Sequence, residues 1–195
     1  MSETKQVLWH HPLIQVEEVT DQKGQKFLVV HRGKFAAVCL HLISSCGEEA
    51  FLIVKQERPT APEPFYEHPA GMVDADETPL QAAIREVAEE TGWLLLPEDL
   101  QLLTPHSLYP SPAFWNEAGY FYAAKIPVPL AVLKAYARGI DRNTQTNEHL
   151  ILLTLSPQEL VQNTYNLQTL AHTLLYYGFC NTSHRILSSP SLTNT

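Results

Sequence analysis

The sequence is short of several things. Only three of its 195 residues are cysteines, Cys39, Cys46 and Cys180, and they show no metal-binding spacing. The odd count, with Cys39 inside an apolar stretch, points to reduced thiols and a cytoplasmic home rather than a disulfide framework. No run approaches the roughly 20 apolar residues that span a bilayer. The start, MSETKQVLWHHP, lacks the apolar core of a signal peptide. Positive charge is scarce: Lys and Arg total 13 against 21 Asp and Glu, for a net charge of -8, and they form no block. Nucleic acid and an anionic membrane are therefore not expected partners. No internal repeat is present. The length fits one domain with a real core. Histidines number nine, and the His10-His11 pair, near the chain end, reads as solvated.

What is present is concentrated in residues 71 to 93, GMVDADETPLQAAIREVAEETGW. Gly71, Glu77, Arg85, Glu86, Glu89, Glu90 and Gly92 stand at fixed intervals, with apolar Val87 and Trp93 between and after them. At about 7% usage per residue type, seven fixed positions coincide by chance on the order of once in a hundred million starting points. Local rules make most of the stretch a helix. Thr78 is the cap, Pro79 suits the first helical position, and Gln81 can reach back as in a capping box. Gly92 is a helix stop. Leu80, Ala83, Ile84, Val87 and Ala88 recur at helical spacing and give a core-facing side.

On that helix Glu86, Glu89 and Glu90 share one flank, an arc of roughly 100° beside the apolar stripe. Carboxylates this close repel one another and raise each other's pKa. A divalent cation reverses the sign of the effect. All-oxygen ligands suit magnesium or manganese, and magnesium also takes phosphate oxygens. An acidic protein can thus hold an anionic diphosphate through bridging ions. Arg85, among the acids, is placed to hold a carboxylate rigid by a bidentate pair. Gly71 lets the chain turn tightly before the helix.

The pattern resembles the Nudix box, with no required position missing, and the chain is similar to the Nudix hydrolases. The resemblance narrows upstream. Arg58 closes a strand, and Glu67-His68-Pro69-Ala70-Gly71 runs into the box, as in the ADP-ribose and ADP-sugar pyrophosphatase branch. It implies a fold, an α/β/α sandwich with a mixed central sheet and a small N-terminal antiparallel sheet. It implies an activity, cleavage of ADP-ribose or a related ADP-sugar to AMP and a sugar phosphate, with Mg2+ or Mn2+. It also implies roles. Glu86, Glu89 and Glu90 with the carbonyl of Ala70 hold metal. Arg85 belongs to the catalytic group, and Glu77 and Gly92 complete the box. Arg58, Glu67, Gly71 and Glu117 lie on the substrate side. Glu148, on the loop before a strand, matches a general base or further ligand. For Arg58 a surface ion pair, for Glu67 a loop cap and for Glu148 a solvated loop acid remain the plain alternatives.

Along the chain, residues 13 to 19 and 26 to 31 read as a hairpin, and Arg32-Gly33-Lys34 as a break. Residues 35 to 43 and 50 to 55 read as strands buried on both faces. After the box, residues 120 to 124 are a strand and Pro129 opens a short helix. Residues 139 to 147 are a polar loop, and 150 to 155 a strand. Ser156-Pro157-Gln158-Glu159 is a second capping box, and its helix is interrupted near Asn163 to Asn166. Where the branch carries Ser-Pro-Gly, this chain has Ala113 after Ser111-Pro112, then Phe114-Trp115, which stack on a ligand or simply pack the loop.

The expected organisation is an N-terminal hairpin and dimerisation segment over 1–34, a hydrolase domain over 35–180 and a flexible tail over 181–195. By the resemblance the hairpin exchanges between two subunits, so a homodimer is expected. Two other readings stay open. One is the same machinery acting on a nucleoside triphosphate, a dinucleoside polyphosphate, NADH or another nucleotide sugar. The other is a Nudix-fold sensor that grips a nucleotide without cutting it.

Overall fold

The computed structural model describes residues 4–59, 61–143 and 149–186. The chain divides into two compact units, Met1–Val38 with Ala70–Tyr122, and Cys39–Pro69 with Ala123–Thr195. Two long strands, β3 (Lys26–Ser44) and β8 (Trp115–Val128), contribute residues to both.

In the first unit β1 (Thr4–His11), β2 (Ile14–Thr20) and the start of β3 form an antiparallel meander. The turn from β2 to β3 is built by Asp21, whose carboxylate accepts the amide N–H groups of Lys23 and Gln25 at 2.8 and 2.9 Å. This is the expected hairpin, with one addition. The segment holding His10 and His11 is strand β1, paired with β2 from Thr4↔Thr20 to His11↔Ile14, and not a loose end. Nor does the chain break at Arg32-Gly33-Lys34. Strand β3 runs through it, and Gly33 absorbs the irregularity at φ 95°. A backbone in that region is open to glycine and strained for other residues.

Past that point β3 pairs with β6 (Ala70–Met72) in the register Phe35↔Met72, Ala36↔Gly71 and Ala37↔Ala70. Residues 35 to 38 are buried. Strand β8 hydrogen-bonds to β3 and to the short β7 (Gln101–Leu102). Helix α1 (Pro79–Thr91) packs on β6.

The second unit begins with the end of β3, which turns back into β4 (Glu49–Gln56). Phe51 to Val54 are each at most 1% exposed, so the run is covered on both faces as its composition requires. Strand β4 also pairs with β5 (Phe65–Glu67) and with β10 (His149–Leu155), and β10 pairs with β9 (Ile140–Asn143), all antiparallel. Strand β9 occupies part of the expected polar loop; its composition hides a strand that backbone pairing with β10 creates. Helices α2 (Leu130–Tyr136), α3 (Pro157–Asn163) and α4 (Leu167–Ile186) complete the unit. Ser156 caps α3 in the expected capping box, and the chain breaks at 164–166 as read. Helix α4 continues through Ile186; the expected tail beyond it, 187–195, lies outside the described residues. Among the described residues no helix is long and apolar enough to cross a membrane.

Candidate active site

The box helix starts as local chemistry dictates. The Thr78 hydroxyl accepts the Gln81 amide N–H at 3.3 Å, and the Gln81 carbonyl oxygen accepts the Thr78 amide N–H at 2.8 Å. Gly92 ends the helix at φ 78°, donating its N–H to the Ala88 carbonyl at 3.0 Å. The buried stripe is Ala82, Ala83, Val87, Glu90 and Thr91. It differs from the expected one by taking in Ala82, Glu90 and Thr91, while Leu80, Ile84 and Ala88 stay half-buried.

Arg85 organises the acids. Its Nε and Nη2 donate to the two oxygens of Glu77 at 3.2 and 2.5 Å, and Nη2 also donates to the Met72 carbonyl at 2.8 Å. Its Nη1 donates to Glu86 Oε1 at 2.6 Å and to Glu89 Oε2 at 3.4 Å. One planar guanidinium thus ties the loop before the helix to two of the three acids on its flank. Glu77 is pre-set for this by accepting the Asp74 amide N–H at 3.0 Å. The Arg85 bonds hold the Glu77 carboxyl below its ordinary range, and Glu77, then Glu86, push the guanidinium pKa further up.

Glu90 points inward and is 7% exposed. Its Oε2 accepts the Ala70 amide N–H at 3.2 Å. Gly71 lies under Glu86: a Cβ built on it would overlap the Glu86 carboxylate. Glycine is needed here for space rather than for its backbone freedom. The fold thus brings Ala70, Gly71, Glu77, Arg85, Glu86, Glu89 and Glu90 into one cluster. Gly92 only ends the helix.

The cluster sets four carboxylates against one guanidinium. This surplus of oxygen donors and negative charge fits a hard divalent cation, the kind of ion the Nudix family generally uses. Among the described residues no group of three or more His, Cys, Asp or Glu side chains is drawn around a point that could hold a metal. Three of the four acids, Glu77, Glu86 and Glu89, turn to Arg85 instead.

Glu117, also in the first unit, is 7% exposed and pairs with Arg32 at 3.1 Å. Phe114 and Trp115 stand with ring centres 5.8 Å apart, and the Phe114 carbonyl accepts the Val30 amide N–H at 2.7 Å. That bond ties the loop to β3.

In the second unit Glu67 is buried and heavily used. Its Oε2 accepts Gln56 Nε2 at 2.8 Å and Arg58 Nη2 at 2.7 Å, and its Oε1 accepts Asn166 Nδ2 at 2.5 Å. Arg58 is thus in an ion pair, but 44% of its side chain stays exposed. It lines a cleft of about 560 Å³ with Lys55, Gln56, Pro64, His149 and Ile151. That volume suits a small-molecule ligand. Glu148 lies outside the described residues. Sequence reasoning missed Arg32, Gln56 and Asn166. Asn166 carried a signal, since Asn before an apolar helical run is a cap; its reach to Glu67 carried none.

A NUDIX domain profile matches residues 33–166, more than half of the chain. The chain is 31% identical over 152 residues to the methanol dehydrogenase activator of Bacillus methanolicus, spanning 76% of this chain and 73% of that protein. Its fold superimposes on the crystal structure of an ADP compounds hydrolase with a TM-score of 0.65 at 15% identity, over 93% of this chain and 94% of the other. These likenesses and the complete box place the protein in one class: it belongs to the Nudix hydrolase family and has the mixed α/β Nudix fold.

Proposed function

We propose that the protein is a metal-dependent pyrophosphohydrolase that cleaves ADP-ribose or a related ADP-sugar to AMP and a sugar phosphate. The observation that carries this is the acid ridge of α1, intact and held in register by Arg85. Glu86, Glu89, Glu90 and the Ala70 carbonyl would hold Mg2+ or Mn2+. Ions bound there would offset diphosphate charge and lower the pKa of a coordinated water.

The chain's own residues do the rest. A water oxygen bonds to one phosphorus, the bridging P–O bond breaks, and each product leaves as a phosphate monoester. Glu148 is the proposed acceptor of the water's proton. Arg85 keeps Glu86 and Glu89 from swinging away between turnovers. Lys55 and Arg58 bring two cations to a cleft that also holds Glu57, and they would be the groups to meet an anionic ligand there. The ADP-sugar choice is supported by the Glu67-x-Pro-Ala-Gly approach and by the fold shared with a protein described as an ADP compounds hydrolase.

The test is a substrate panel of ADP-ribose, other nucleotide sugars, NADH, dinucleoside polyphosphates and nucleoside triphosphates, run with magnesium and with a chelator. AMP release from ADP-ribose, abolished by the chelator, is expected. Preferential cleavage of triphosphates overturns the substrate choice, and tight binding without product overturns catalysis. The 31% identity to the Bacillus methanolicus protein supports a second reading, that this chain activates a methanol dehydrogenase. Adding it to such an enzyme and finding an unchanged rate removes that reading.

A homodimer belongs to the same proposal. The meander exposes Val7, Leu8, Trp9, Leu13, Phe27 and Leu28, each at 42% or more. Six large apolar side chains this open on one small sheet are more than a solvated surface needs, and a partner would cover them.

A further inference from the structure

Three successive residues ahead of the box are each held from one place, the junction and start of the last two helices. The Tyr66 carbonyl accepts the Thr164 hydroxyl at 2.9 Å. Glu67 Oε1 accepts Asn166 Nδ2 at 2.5 Å. The ring of His68 meets the Thr173 hydroxyl through Nε2 at 2.9 Å. The middle contact differs from its neighbours, because Glu67 passes it on. Its other oxygen holds Arg58 at 2.7 Å, and Arg58 lines the cleft.

The orientation of the Asn166 amide is fixed from the far side. Its Oδ1 accepts the N–H groups of Gln168 and Thr169 at 2.8 and 3.3 Å and so caps α4. With the oxygen committed to the helix end, the NH2 group must face Glu67. An asparagine is what the position demands: an acceptor for the helix and a donor for the carboxylate in one planar group.

We infer that Asn166 is a positioning residue for substrate binding, acting through Glu67 to fix the direction in which Arg58 presents its guanidinium to the cleft. This rests on the reading above that Arg58 and Glu67 lie on the substrate side. A carboxylate with a donor on each oxygen has one orientation. With the Asn166 donor removed, Glu67 is held through Oε2 alone, by Gln56 and Arg58; it can pivot about that oxygen, and Arg58 loses its fixed anchor. Binding of an anionic ligand then weakens, while bond cleavage at the box acids is untouched.

Two variants separate this role from simple helix capping. Asp and Ser both cap as Asn does, so Asn166→Asp and Asn166→Ser keep α4; the uncharged Asn166→Ser is the variant expected to keep the thermal midpoint, and Asn166→Asp the one expected to lower it. Asp sets a like charge against Glu67, and Ser is too short to reach it. With ADP-ribose, both are expected to raise KM about tenfold or more, the loss of one hydrogen bond to a charged group. The kcat is expected to stay within about twofold, the mark of lost uniform binding. A crystal structure of the Asn166→Asp variant is expected to show Glu67 turned away and its ion pair with Arg58 broken.

An unchanged KM in both variants overturns the proposal, as does a variant structure with Arg58 and Glu67 in place. If wild-type protein leaves ADP-ribose intact, the substrate reading fails, and the variant structure alone decides the role of Asn166.

Discussion

The carboxylate of Glu86 occupies the space that a side chain at residue 71 would need. Strand β6 and helix α1 meet there, and neither has slack: Gly71 is paired with Ala36, and Glu86 is held by Arg85. Gly71→Ala therefore moves Glu86. The expected result is a fall in turnover of about a hundredfold, the usual cost of displacing a working group by an ångström, with little change in thermal midpoint. A circular dichroism melt beside the rate assay checks it; an alanine variant of full activity would show that Glu86 has room to move.

Arg85 makes its contacts as a fork, two nitrogens to Glu77 and a third to Glu86 and Glu89. Lysine brings the charge without the fork. Arg85→Lys should lower turnover about 10- to 100-fold, the range for a lost partner of a metal-holding shell. Titrating magnesium in the assay should show the loss as a higher metal requirement. Equal magnesium curves for the variant and wild type would mean that Arg85 does not position the acids.

His68 gives the stability a pH slope. The ring is 3% exposed, its Nδ1 has no hydrogen-bond partner among the described residues, and burial, then His172, drives its pKa well down. The folded state thus refuses a proton that the unfolded chain accepts below about pH 6.5. Stability is full above that value and falls as pH drops through it, by at most about 1.4 kcal/mol per pH unit for this one group. Urea midpoints at pH 7.5, 6.5 and 5.5, taken with chelator present, should decline. His68→Gln should flatten the decline; an equally steep variant would assign the slope elsewhere.

The open apolar meander makes a prediction about assembly. Trp9→Glu and Leu28→Glu, at positions 52% and 53% exposed, should convert a dimer to a monomer in light scattering at micromolar protein without unfolding it. A wild-type monomer under the same conditions rules out the dimer outright.

Much of this was legible in the residues themselves. The capping boxes at Thr78 and Ser156, the stop at Gly92 and the apolar runs of β3 and β4 are short-range patterns, and short-range physics decides them. Strands β1 and β9 were not legible. Strand β1 is exposed along its whole length and Ile140–Asn143 is polar, so neither shows the alternation that marks a half-buried strand. Each is a strand only because a neighbour offers its backbone.

The sequence alone determined which residues share the box helix, because fixed spacing on a helix places side chains on a flank without help from the rest of the chain. It also determined the family, since the whole box survives. Tertiary structure decided what each of those residues touches. Arg85 bridges Glu77 to Glu86 and Glu89, Gly71 yields its side-chain space to Glu86, and Asn166 holds Glu67 across 99 positions of chain. Contacts of that reach depend on how distant segments pack, and no local pattern encodes the partner.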